Sequence, residues 1–193
     1  TTNRSARSYA YAVEKRWYYW YRAISAAKYG LASLKVCQEG GKYFLADAAA
    51  DKRAEVFAKF IMGVSNEMVA IYYDKGFYVD GSTDFSKTPE LSDYNALMAS
   101  AITALKGVIS DAEANASVAI PEDWMQIAGL TMGDLAKITH GLIARWTAGV
   151  ARTAQERGAV NWADVKSHAS KGKPFAPVGD GVYWGSWHQY SWG

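Results

Sequence analysis

The five aromatic residues W-Y-Y-W-Y at 17–21 lie inside residues 5–34, a run without proline in which Val13, Trp17, Trp20, Ile24, Ala27, Leu31 and Leu34 recur in steps of three and four. That period returns an apolar side chain to the same face on each turn and predicts one long helix. Five successive rings cover the whole circumference of such a helix, so they cannot all face one core. Trp17 and Trp20 are expected to pack between helices. Gly40–Gly41 is expected to break the run.

The rest of the chain repeats the pattern. A second helix is expected from about residue 51 to 73, where Phe57, Phe60, Ile61, Val64, Met68, Ile71 and Tyr72 form a broad apolar stripe that must bury against other helices. Residues 76–89, rich in Gly, Ser, Thr and Asp, read as a loop. A third helix is expected after Thr88–Pro89, with the threonine as cap and the proline in the first turn. Leu97, Ala101, Leu105 and Val108 would line one of its faces, with Tyr94, Met98 and Ile102 beside them. Residues 115–129, with Pro121 and Trp124, read as a second loop. Thr131 with Asp134 forms a capping box for a fourth helix, lined by Leu135, Ile138, Leu142, Trp146 and Val150. Thr153 with Glu156, and then Asn161, open two short helical turns.

No strand alternation lasts beyond a few residues. The expected fold is therefore all-α, built of antiparallel helix hairpins with long loops. The main helix starts recur about every 40 residues, which suggests a helical repeat, although the 34-residue tetratricopeptide period is not kept. Residues 1–171 form the expected helical scaffold. Residues 172–193 form a Gly-rich, extended tail that carries Tyr183, Trp184, Trp187, Tyr190 and Trp192.

Composition narrows the class. Of 193 residues, half are hydrophobic, 14% aromatic and only four are proline, and 21 basic against 19 acidic side chains leave a net charge of +2. Such a chain can bury a core and is not low-complexity disorder. No stretch approaches the roughly 20 uninterrupted apolar residues of a spanning helix. The charge is uneven: residues 1–53 hold ten basic and four acidic side chains, residues 54–130 four and eleven, and residues 131–193 seven and four. Nucleic-acid binding would need a basic stripe on a strongly basic domain, so it is not expected. Cys37 is the only cysteine, which excludes an intrachain disulfide, a cysteine zinc site and a C-x-x-C-H haem attachment. It reads as a small buried hydrophobe near a helix end. The chain opens at Thr1 with no secretory-leader pattern, so either a leader has been removed or the chain is a piece of something longer.

Catalytic chemistry finds little support. His140, His168 and His188 are separated by 28 and 20 residues, and none is expected to share a helix face with a second ligand in the manner of H-E-x-x-H. Neither a nucleophile elbow nor a phosphate-binding glycine motif occurs, and Gly179-Asp180-Gly181 reads as a turn. Glu122–Asp123 beside Trp124 pairs carboxylates with an aromatic, as glycosidases do, but adjacent loop residues do not set the separation that chemistry requires. The expectation is a non-enzyme with no catalytic residues, metal or cofactor. The remaining signal is aromatic. Trp124, Tyr183, Trp184, Trp187, Tyr190 and Trp192 are the candidate contact residues, free to pack back on the helices, to stack on a sugar or to enter a partner protein.

Several segments, in order, resemble the SusD/RagB-like family of bacterial outer-membrane nutrient-binding proteins. They are W-Y-R-A-I-S-A-A-K-Y-G-L at 20–31, the stretch from Phe57 to Asp80, and Y-N-A-L-M-A-S-A-I-T-A-L at 94–105. The most specific is 142–172, with its R-T-x-x-E-R-x-A-V-x-W-x-x-V core from Arg152 to Val165. The resemblance covers the family's helical scaffold half; the loop-rich half and a lipobox around Cys37 are not found. It implies a tetratricopeptide-like scaffold, an extracytoplasmic location at the periplasm or outer-membrane surface, and capture of glycan or peptide above a TonB-dependent transporter. The expected function is a non-catalytic accessory subunit that docks on an integral membrane protein complex. The alternative is a glycan-binding partner of such a transporter, with oligosaccharide as ligand.

Overall fold

The computed structural model describes residues 10–172 other than Gln126, with side chains from residue 13 onward. The tail candidates Tyr183, Trp184, Trp187, Tyr190 and Trp192 lie outside the described residues. The fold is all-α in character: α1 (Ala10–Glu39), α2 (Ala48–Tyr72), α3 (Tyr94–Glu113), α4 (Glu122–Met125), α5 (Met132–Gly149), α6 (Ala154–Ala159) and α7 (Trp162–Lys171). One small antiparallel hairpin, β1 (Lys75–Phe77) with β2 (Leu91–Asp93), pairs Gly76 with Ser92.

The long helices stack in chain order. α2 packs between α1 and α3, α3 on α5, and α5 on α7. Each neighbour runs antiparallel to the last: Tyr73 at the end of α2 bonds Val13 at the start of α1, Lys59 meets Asp111, and His140 meets His168. Two main apolar clusters fill the spaces. Val56, Phe60, Leu105, Val108, Leu135 and Ile143 join α2, α3 and α5, while Val69, Ala70, Leu97 and Met98 gather Trp17, Trp20, Tyr21 and Trp146 around them.

Most helix ends follow their sequence signals, but α2 starts at Ala48, capped by Asp47 and three residues before the expected start. α1 runs past Leu34 to Glu39 and closes in a Schellman arrangement, with Gly41 at φ 68°, Gly41 N donating to the Gln38 carbonyl and Lys42 N to that of Cys37. Cys37 sits near that end, half-buried. Thr131–Asp134 and Thr153–Glu156 both form full capping boxes, and the Asn161 side chain caps α7. The expected Thr88–Pro89 start is corrected. Residues 91–93 are drawn into pairing with β1, and α3 begins only after Asp93, whose carboxylate accepts from Ala96 N at 2.9 Å. Proline has no N–H to offer a ladder, and Pro89 stays in the loop ahead of β2. Pro121 is followed by the single turn α4, within a stretch expected to be loop.

Candidate functional site

Two of the five rings at 17–21 turn inward with a third beside them. Trp17 packs edge-on to Tyr73 at 5.0 Å and beside Tyr21 at 4.7 Å. The Tyr21 hydroxyl donates to the Phe77 carbonyl (2.9 Å) and accepts from Phe77 N (2.6 Å), which fixes β1 against α1; burial pushes its pKa up to about 12. Tyr18 and Tyr19 face outward, and the Arg22 guanidinium lies over the Tyr18 ring. Among the described residues α2 is the one helix in extensive contact with α1, and on the far side Tyr29 and Val36 are exposed.

That side leads to the turn between α1 and α2. Here Tyr43, Phe44 and Leu45 are 60%, 52% and 40% exposed, three large apolar side chains in succession. The backbone beneath them is fixed. Asp51, itself buried, accepts from Phe44 N at 2.9 Å and Leu45 N at 2.7 Å, while Asp47 caps α2 through Ala50 N at 2.8 Å. A buried carboxylate bonded to two backbone donors is costly to place without those partners, so the turn has one preferred shape. The turn therefore presents a preorganised apolar tip to its surroundings. The sequence reading missed it, although the signal was there: K-Y-F-L between a glycine helix stop and an aspartate N-cap.

Trp124 is half-buried on α4, with its ring 4.8 Å from Phe57 and the Arg53 guanidinium 5.3 Å from its centroid. One side of the ring thus belongs to the main core. Glu122 and Asp123 open the same turn. A separate open groove of about 690 Å³ runs between α2, α3 and the segment after β1, lined among others by Tyr78, Asn66, Lys59 and Asp111 and by Thr103 and Gly107 of α3. Asn66 is already committed there: its amide donates to the Met62 and Val79 carbonyls, both at 2.9 Å.

The structure also joins two histidines that stand 28 residues apart. His140 Nδ1 and His168 Nδ1 lie 2.8 Å from each other, and both rings are buried. His140 Nε2 faces Glu113 and His168 Nε2 faces Asp164, each at 3.8 Å. The expectation that no histidine has an acidic residue at helical spacing is corrected: Asp164 lies four residues before His168 on α7. Burial lowers the pKa of both rings and so favours their neutral forms. Among the described residues no group of three or more His, Cys, Asp or Glu is placed to hold a metal.

Glu67 is the most unusual titratable group. It is fully buried on α2, neither carboxyl oxygen has a hydrogen-bond partner among the described residues, and desolvation pushes its pKa up to about 8. Among the described residues no helix is long and apolar enough to cross a membrane. The chain matches no family model, no curated protein and no solved structure.

Proposed function

We propose that the protein is a non-catalytic helical scaffold of the bacterial envelope that docks on the extracytoplasmic face of an integral membrane protein complex as an accessory subunit. The observation that carries this reading is the Tyr43–Phe44–Leu45 tip, exposed yet held in one shape by the buried Asp51. Aromatic and aliphatic side chains on a fixed backbone lose little conformational entropy on binding, which is what an interface anchor requires. The uncovered Tyr18–Tyr29–Val36 side of α1 extends the same surface. A stable interface buries about 1,200 Å² or more in total, so the tip alone is too small and the helix face beside it is part of the proposed surface. The tail aromatics Tyr183, Trp184, Trp187, Tyr190 and Trp192 and the loop residue Trp124 are further contact candidates in this reading.

The test is gentle detergent extraction of native membranes, capture of this chain and mass spectrometry of what accompanies it. Recovery of an integral membrane complex at fixed stoichiometry, lost in the Tyr43→Ser/Phe44→Ser/Leu45→Ser variant, is the expected result. Capture that is indifferent to those substitutions removes the tip from the interface, and recovery of the chain alone defeats the accessory-subunit reading.

A second reading, a SusD-like glycan binder cooperating with a TonB-dependent transporter, draws on the groove beside Tyr78 and on the sequence resemblance. It requires saturable quenching of tryptophan fluorescence by soluble oligosaccharides, and a flat titration counts against it.

A further inference from the structure

α7 is held to the scaffold by unusual means. Its one buried side chain is His168; Val165 is half-buried, and Trp162, Ala163, Lys166, Ser167, Ala169, Ser170 and Lys171 are exposed. Helices normally dock through an apolar stripe, and α7 has almost none. Beyond its final turn, Gly172 comes so close to α5 that a Cβ there would stand 3.2 Å from the Gly141 Cα. The docking of α7 therefore centres on two imidazoles whose Nδ1 atoms meet at 2.8 Å.

That contact has a defined proton requirement. With both rings neutral, one Nδ1–H donates to the lone pair of the other Nδ1. A first proton gives an imidazolium–imidazole pair with the same single shared hydrogen, and Glu113 or Asp164 at 3.8 Å balances the charge. A second proton places an N–H on each facing nitrogen. Two donors and two positive charges at that distance repel, and the contact is lost. The surroundings do not reverse this outcome. On α3, Glu113 faces His140 and Lys106 pairs with Asp164. On α5, Asp134 and Lys137 line the cavity beside His140. On α7, Asp164 and Lys171 flank His168. Lys106 and Lys171 oppose the second proton, and Glu113 and Asp164 each face only one of the two rings.

We propose that the His140–His168 pair is a proton-operated latch, which docks α7 on α5 when neutral and releases α7 when both rings are protonated. The sequence after Gly172 carries Tyr183, Trp184, Trp187, Tyr190 and Trp192. The sign is fixed by the chemistry: the docked state is favoured above the ordinary histidine range and weakens as the pH falls below about 6.5.

Hydrogen exchange followed by mass spectrometry on the full chain tests this, with rates corrected for the intrinsic pH dependence of exchange. On moving from pH 7.5 to about 5, α7 is expected to exchange at least tenfold faster while α2 and α3 keep their protection. His168→Gln, whose amide can still bond the His140 ring but cannot take up a proton, is expected to hold α7 protection constant over that range. Unchanged α7 protection in the parent protein overturns the latch, as does an acid release that persists at full size in His168→Gln. Should the variant fail to dock α7 at any pH, imidazole ¹⁵N spectra of the parent decide. Rings that titrate independently at the ordinary value overturn the proposal, whereas coupled, depressed titration supports it. Protection that rises with Zn²⁺ and falls with chelator at constant pH makes the pair a metal site and also overturns it.

Discussion

Glu67 shows what one buried group does to the pH dependence of the whole fold. Its folded-state pKa of about 8 lies above its ordinary value of 4.5. Between those values the folded chain holds a proton that the unfolded chain has released, so stability falls as pH rises through that window. The slope contributed by this group is at most about 1.4 kcal/mol per pH unit. Urea unfolding at pH 5 and pH 8 is expected to show Glu67→Gln losing less stability over that interval than the parent. Equal losses in the two proteins would mean that Glu67 is ionised in the folded state. Arg152, the first residue of the R-T-x-x-E-R-x-A-V-x-W-x-x-V stretch, is explained by packing. Its guanidinium donates to the Ala70 carbonyl at 3.0 Å and the Tyr73 carbonyl at 2.8 Å, pairs with Asp74, and stacks 3.8 Å above the Tyr94 ring. It thereby supplies donors to the last carbonyls of α2, which have no partner within the helix. Arg152→Ala is expected to cost about 2 kcal/mol, with Arg152→Lys recovering only part because it lacks the planar fork; chemical denaturation of the three proteins gives the comparison.

The elements meet with little room to spare, and two contacts expose that. A Cβ at Gly76 would lie 2.5 Å from Val69 Cγ1 and 2.8 Å from Leu97 Cδ2, because β1 passes directly over the junction of α2 and α3. Gly76→Ala is therefore expected to destabilise by about 1–3 kcal/mol, measured as a lower denaturant midpoint with an unchanged slope. The α1–α2 turn depends in the same way on Asp51. Asp51→Ala leaves the Phe44 and Leu45 amides without their acceptor, at an expected cost of about 2 kcal/mol. Backbone ¹⁵N relaxation should then show residues 43–45 gaining fast motion. Retention of a rigid turn would show that the apolar tip is not preorganised by this carboxylate.

Across the whole molecule, burial is graded from centre to edge. Among the described residues α2 packs against α1, α3 and α5, whereas α1 packs chiefly on α2 and α7 on α5. Native-state hydrogen exchange at pH 7.5 is expected to rank α2 and α3 as most protected and α7 as least. Protection of α7 equal to that of α2 would mean that the fold opens only as a unit. This gradient places the exposed aromatic tip and the histidine-held helix on the outer layers, where association or release leaves the central helices packed.

Local signals in the chain were enough to place the four long helices and the two short ones after residue 153. The steps of three and four through Trp17, Trp20 and Ile24 gave α1, and the Gly40–Gly41 stop and the Thr131, Thr153 and Asn161 caps marked their ends, because each signal acts within one or two turns of backbone. The Thr88–Pro89 cap failed because β1, a dozen residues earlier in the chain, competes for that backbone, and local signals carry nothing about such pairing. The candidate site divides the same way. Trp124 was visible as an aromatic beside two acids, but only packing shows one side of its ring engaged by Phe57. Asp164 and His168 share a helix and were legible from spacing, whereas their meeting with His140 depends on how α7 crosses α5. Tertiary structure alone decided that pairing, the burial of Glu67 and the clamp beneath Tyr43–Leu45, since each arises where separate elements close on one another.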